Sequence, residues 1–311
     1  MFLMRNIPLL FSFVLLFFIT DSCSVLEKYF PKKTDTIVEK EVEVQVEIQK
    51  ELVTNNIAKP KGYVVSTKHY PSDSQSFRIR YLIIHYTAGD YNTSVKTLTK
   101  KAVSSHYLVT DSDNDSIDIL VLEEKRAWHA GISYWNNFTS LNDTSIGIEI
   151  VNNGFKLVNG KREFYDYPDY QIKKVAVLCK DIIERYKILP ENVLGHSDIA
   201  PNRKQDPGPK FPWKYLYDEY GIGAWYNETD KQIFEFLYPE QETTDFITSA
   251  QRDLKKYGYD IKETGFWDEQ SQSVISAFQM HFRPSNYNGI LDKETWAILQ
   301  ALNKRYRKDL K

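Results

Sequence analysis

Three side chains scattered along the sequence could together hold a catalytic metal ion. His196 and Asp206 stand ten positions apart in the stretch GHSDIAPNRKQDPGPKFPW, and His85 lies 111 positions before His196. Two neutral imidazoles and one carboxylate leave Zn²⁺ with net positive charge and a fourth position free, the arrangement in which a bound water is deprotonated near neutral pH. The chemistry implied is metal-assisted hydrolysis. There is no HExxH helix to point to the commonest zinc peptidase pattern.

The elements around these residues must bring them to one point. His85 closes the apolar run YLIIHY, which reads as a buried strand delivering a side chain near its tip. His196 and Asp206 are too far apart for one helical face, and Pro201, Pro207, Gly208 and Pro209 make their segment a rigid loop able to fold both inward. In SIGIEIV, strand alternation puts Ile146, Ile148 and Ile150 on one face and Gly147, Glu149 and Val151 on the other, so a carboxylate rises from a face kept low by glycine. Such a Glu149 could take a proton from attacking water and return it to a leaving amine. Lys204, two before Asp206, would point the same way in an extended loop and meet negative charge developing on a carbonyl. In RAWHAG, Trp128 and His129 are expected to contact substrate, with a structural role for the tryptophan nearly as well supported. His106 in SSHYLV reads as a buried, hydrogen-bonded residue behind the site, and His69 and His281 as surface or structural residues.

Taken singly, each histidine would be read as a core or rim residue, Glu149 as a solvated edge-strand residue and Lys204 as a surface lysine. Their company changes this: YLIIHYTAG, RAWHAG, DTSIGIEIVN and GHSDIAPNRKQDPG occur in that order within one domain-sized segment. Together these motifs closely resemble the zinc-dependent N-acetylmuramoyl-L-alanine amidases of the type 2 class, relatives of peptidoglycan recognition proteins, over about residues 63 to 237. The resemblance implies zinc held by His85, His196 and Asp206, Glu149 as general base, and Lys204 as oxyanion stabiliser. It also implies the reaction, cleavage of the amide between the lactyl group of N-acetylmuramic acid and L-alanine of the stem peptide. The alternative is a non-catalytic peptidoglycan-recognition protein, which would be expected to lack at least one of these five residues.

The expected fold is α/β, a mixed central β-sheet flanked by helices over 63–237, followed by a small all-α three-helix domain over 243–305. In the latter, Ile247, Ala250, Leu254 and Tyr257 mark one helix, Val274, Ala277, Phe278 and Phe282 a second, and Trp296, Leu299 and Leu302 a third. GFWDEQS and GILDKET echo each other, each placing an aspartate, Asp268 or Asp292, to cap the next helix. This segment resembles the three-helix peptidoglycan-binding domain, and the implied partners are peptidoglycan and muropeptides.

At the N-terminus, Arg5 precedes the apolar run at residues 7–20, too short for a comfortable membrane span but suited to a signal peptide over 1–22. The exit at Ser22 and Cys23 resembles a lipobox, implying lipidation of Cys23, a membrane anchor and an extracytoplasmic enzyme; Ser24 leans toward the outer membrane where there are two. Thr20 and Asp21 depart from the pattern and leave ordinary secretion or an uncleaved anchor open. Residues 23–62 then form the anchor and a charged tether able to stretch roughly 130 Å. Cys179 lies on a helical stripe with Ile172, Val175, Ile182 and Tyr186 and reads as a core thiol. A formal charge of −2 provides no basic footprint for nucleic acid, and a monomer is expected.

Overall fold

The run YLIIHY forms strand β1, Tyr81–Tyr86, at the heart of the computed structural model, which describes residues 58, 60–65, 70 and 72–307. The segment read as a signal peptide, Cys23, most of the stretch read as a tether, and His69 lie outside the described residues. The chain divides into two compact units, residues 1–74 and 75–311, and the described part of the first contains no helix or strand. Among the described residues, no helix is long and apolar enough to cross a membrane.

In the second unit, β1 is followed by β2 (Tyr107–Val109), β3 (Ile117–Ile119), the small hairpin β4 (Tyr134–Trp135) and β5 (Phe138–Thr139), and β6 (Ser145–Ile150). A second hairpin, β7 (Phe155–Val158) and β8 (Lys161–Phe164), precedes β9 (Val193–Gly195). Strands β3, β2, β6, β1 and β9 make the main sheet in that order; β6 and β9 run parallel to β1, β2 runs parallel to β6, and only β3 is antiparallel to its neighbour. This is the expected mixed sheet. Because β1 is covered on both faces, its sequence is a continuous apolar run with Leu82, Ile83 and Ile84 essentially inaccessible. The β1–β6 register sets His85 beside Glu149 and Ile83 beside Gly147.

Among the described residues, eight α-helices complete the unit: α1 (Tyr91–Lys100), α2 (Asp169–Tyr186), the single turn α3 (His196–Ile199), α4 (Trp213–Tyr220), α5 (Glu228–Phe236), α6 (Thr244–Tyr257), α7 (Glu269–Phe282) and α8 (Lys293–Tyr306). The stripe Ile172, Val175, Cys179 and Ile182 of α2 is buried, and that burial pushes the Cys179 thiol up to about 12, an inert core sulfur. The last three helices form as the periodicity predicts. Asp268 and Asp292 accept the backbone N–H of Ser271 and Thr295 and cap α7 and α8.

The echo between the two turns extends to their support. Gln251, on α6, accepts from the Gly265 N–H and donates to the Phe266 carbonyl and Ser271 Oγ. Gln279, on α7, accepts from the Gly289 N–H and donates to the Ile290 carbonyl and Thr295 Oγ1. Both glutamines are fully buried, so two copies of one turn are built on the same polar anchor.

Helices α6–α8 share one apolar core with the sheet and α2. Tyr257 and Tyr259 pack edge-on against Trp135 at 5.8 and 4.9 Å, and the Trp213 ring stacks on His281 at 4.0 Å. Arg307 pairs with Glu191 at 3.0 Å and donates to the Tyr257 carbonyl.

Candidate functional site

The ends of β1 and β9 and the loop after α3 converge at one buried point. His85 Nδ1, His196 Nδ1 and Asp206 Oδ2 lie 2.9, 3.0 and 3.0 Å from one another, and all three residues are at least nine-tenths buried. Among the described residues this is the sole His/Cys/Asp/Glu group close enough to hold a metal ion. A tetrahedral zinc ion with ligands at about 2.0–2.2 Å sets its donor atoms roughly 3.3 Å apart, so an expansion of a few tenths of an ångström would admit one.

Protonation states fit a cation as well. Burial, reinforced by the neighbouring His196 ring, lowers the His85 pKa to about 4, which keeps its imidazole neutral at physiological pH. Burial opposes ionisation of Asp206, but the two histidines outweigh it and hold the carboxyl far below the usual range. His85 therefore offers a lone pair and Asp206 an anion.

Hydrogen bonds fix which nitrogens carry protons. His196 Nε2 lies 3.1 Å from the Ala130 carbonyl, an acceptor only, so Nε2 is the donor and Nδ1 keeps its lone pair. On the other side, Ser145 Oγ donates to the Leu141 carbonyl at 2.5 Å and accepts from His129 Nε2 at 3.2 Å. His129 Nδ1 then accepts from His85 Nε2 at 3.0 Å, which leaves His85 Nδ1 unprotonated at the metal point. Gly147 makes this chain possible: a Cβ there would lie 2.5 Å from the His129 ring.

Glu149 lines the same cleft, of about 210 Å³, with His129, Trp128, His196, Lys204 and Asp206. Its Oε2 is enclosed and has no hydrogen-bond partner. Burial, helped by the Asp206 carboxylate and partly offset by the Lys204 ammonium, raises the Glu149 pKa to about 8. Without a metal the carboxyl keeps its proton at neutral pH; a cation on the adjacent donor set would favour the ionised form, whose spare enclosed oxygen is suited to accept a proton.

The structure thus brings His85, His196, Asp206, Glu149 and Lys204 together. Trp128 is half exposed at the rim, with the Arg126 guanidinium 3.9 Å over its ring, and also lines a neighbouring groove of about 680 Å³. His129 lines the cleft but is mostly buried, and both its ring nitrogens are engaged, by His85 and Ser145, so it braces His85. His106 is fully buried, accepting from the Gly147 N–H and donating to the Lys125 carbonyl. Sequence reasoning missed Ser145 and Asp198; the latter stands within the quoted GHSD motif but no partner was visible for it.

Residues 75–209 match the family N-acetylmuramoyl-L-alanine amidase and residues 243–299 a peptidoglycan binding domain. The N-acetylmuramoyl-L-alanine amidase AmiD of Escherichia coli (strain K12) is 46% identical over 258 residues, 81% of this chain and 92% of the relative. The chain belongs to the N-acetylmuramoyl-L-alanine amidases. AmiD in complex with anhydro-N-acetylmuramic acid-L-Ala-D-gamma-Glu-L-Lys matches this amidase with a TM-score of 0.74 and 44% identity, covering 82% of the chain and all of the AmiD chain. AMPDH3 of Pseudomonas aeruginosa, in complex with an anhydromuramic pentapeptide, matches with a TM-score of 0.72 and 42% identity over 79% of the chain and all of its own. The amidase is therefore a hydrolase of the bond between N-acetylmuramic acid and L-alanine, and the reading as a non-catalytic recognition protein falls.

Proposed function

We propose that the amidase works with one zinc ion held by His85 Nδ1, His196 Nδ1 and Asp206 Oδ2. When bound, the ion would supply a Lewis acid for the scissile carbonyl and lower the pKa of water. Glu149 takes the proton from the attacking water on its free Oε2 and passes it to the departing nitrogen of L-alanine. Lys204 faces the negative charge that develops on the carbonyl oxygen, and the low-dielectric cleft strengthens that attraction. Trp128 lies at the rim to pack against the sugar or the peptide, and His129 orients His85. The observation that carries this reading is the convergence of the three donor atoms beside the orphaned Glu149 oxygen.

The substrates are peptidoglycan and soluble muropeptides, including the anhydro-muropeptides with which AmiD and AMPDH3 were solved. The C-terminal helices raise the local concentration of enzyme on the polymer. The N-terminal apolar run and Cys23 support an extracytoplasmic, membrane-anchored lipoprotein, on the periplasmic side of the outer membrane where there are two membranes, and the enzyme is taken to act as a monomer.

The test incubates zinc-loaded full-length protein, and its His196→Ala variant, with intact peptidoglycan and with a soluble anhydro-muropeptide, and identifies products by mass spectrometry. Free stem peptides beginning at L-alanine, released by the parent alone, are expected. Retention on the polymer with no peptide from either protein would overturn the reading.

A further inference from the structure

Asp198 is a buried carboxyl group whose partners come from two parts of the chain. It is 1% exposed and sits on α3, two residues after His196. Oδ2 accepts from the Gly195 N–H at 2.8 Å, the residue at which β9 turns into α3. Its other two donors belong to the C-terminal helical domain: Tyr259 Oη reaches Oδ1 at 2.7 Å, and His281 Nδ1 reaches Oδ2 at 2.8 Å. A carboxylate taken out of water is tolerable only when its oxygens are satisfied, and removing one partner leaves an uncompensated charge. The amidase part supplies just one of these three hydrogen bonds.

Both donors are themselves immobilised. The His281 ring is stacked on Trp213 at 4.0 Å and on Phe282 at 4.0 Å, and Tyr259 is fully buried against Trp135 and Phe278. A second path reaches His196 from its other side. The Gly258 carbonyl accepts the Asn136 N–H at 2.8 Å, and Trp135 abuts Gly258 so closely that a Cβ there would lie 2.6 Å from the indole. Trp135 and Asn136 belong to the hairpin that follows Ala130, whose carbonyl fixes the His196 tautomer. Residues 258 and 259 therefore brace both the turn that carries His196 and the segment that orients its ring.

We propose that the C-terminal domain is a structural part of the catalytic centre as well as a polymer-binding module, and that Tyr259 and His281 are positioning residues that hold His196 through Asp198. This rests on the reading of His196 as a metal ligand. Ligand-supporting hydrogen bonds of this kind commonly tune metal affinity by about 10–100-fold. Two domains joined only by a linker would show no such dependence.

Full-length protein carrying Tyr259→Phe, His281→Phe or both provides the test: the first deletes only the hydroxyl, and the second keeps an aromatic ring in the stack while removing the ring nitrogens. Ile298→Val, a buried change inside α8 that touches none of the Asp198 hydrogen bonds, controls for general loosening of the helical domain. Four quantities are read: zinc Kd by competition with a chromogenic chelator, kcat and KM on a soluble muramoyl-peptide, retention on insoluble peptidoglycan, and Tm. The double variant is expected to bind zinc about tenfold or more weakly. Its kcat should fall with KM within about twofold, and polymer retention should stay unchanged. Tyr259→Phe alone, the least disruptive change, should shift zinc Kd in the same direction, and Ile298→Val should leave it in place at a comparable Tm. Zinc Kd and kcat within about twofold of the parent in the double variant would overturn the proposal, as would an equal loss in Ile298→Val. Failure of the parent itself to bind zinc or release peptide would instead sink the metal-centre reading.

Discussion

His129 links Ser145 to His85 Nε2 in a chain of hydrogen bonds, on the opposite side of the His85 ring from the Nδ1 that faces His196 and Asp206. Replacing it with alanine removes the acceptor for His85 Nε2–H and frees the ring to rotate or change tautomer. Zinc affinity should drop about 10–100-fold in a chelator competition, whereas Glu149→Gln should retain zinc and lose about 10²–10⁴ in kcat. Proton linkage separates the two residues further. In metal-free protein the Glu149 carboxyl, raised to about 8 from an ordinary value near 4.3, stays protonated in the folded chain while the unfolded chain ionises. Its stabilising contribution is thus present at low pH and lost as pH rises toward 8. His85, lowered to about 4, acts in the opposite sense: the unfolded chain takes up its proton below about 6.5 and the folded chain does not, so its contribution fades as pH falls from 6.5 to 4. Between pH 6.5 and 8 only the carboxyl acts, and urea unfolding should show stability falling by on the order of 1 kcal/mol per pH unit, a slope that Glu149→Gln flattens. The convergence of His85, His196 and Asp206 was legible in the sequence because a metal-type donor set demands those residue types on elements able to meet. Ser145 and Asp198 were not, since a hydrogen-bond partner supplied from a distant segment leaves no local pattern.

Element by element, period and capping carried the reading well where burial is two-sided or strongly striped. The run YLIIHY, the alternation in SIGIEIV, the α2 stripe and the Asp268 and Asp292 caps all form as their local chemistry dictates. The short hairpin β4–β5 escaped because its turn residues Asn136 and Asn137 adopt positive φ without a glycine, and its strands have two residues each. Gly147 shows how a strand residue can serve the site by being absent: Gly147→Ala would drive a methyl into the His129 ring. Overpacking of this kind costs about 1–3 kcal/mol. Here it should also weaken zinc binding, a pairing of effects that chelator competition and thermal unfolding on the same sample would reveal. In the helical repeat, Gln279→Ala strands the Gly289 N–H and the Ile290 carbonyl together, and an unfolding loss of about 1–3 kcal/mol is expected, with Gln251→Ala matching it at the equivalent turn.

For the molecule as a whole, sequence composition marks a change of character after the amidase segment, and two separate family models match on either side of it. Packing joins what composition separates. The aromatic side chains Trp135, Trp213 and Trp225 are each nearly inaccessible, and each meets rings from the last helices: Tyr257 and Tyr259 on Trp135, His281 on Trp213, Phe282 on Trp225. Aromatic side chains bury on the order of 150–250 Å² each, so uncovering three tryptophans exposes an apolar surface comparable to the largest patches soluble monomers tolerate. The C-terminal end adds the Arg307–Glu191 pair and the bonds of Arg305 and Tyr306 to the Trp225 carbonyl. Calorimetry on the intact protein should therefore record one cooperative transition for residues 75–311, and a chain ending at residue 242 should bind a hydrophobic dye and lose that transition. Two resolved transitions, or a truncated amidase that melts as sharply as the parent, would mean that the shared core contributes little and that the two regions fold on their own.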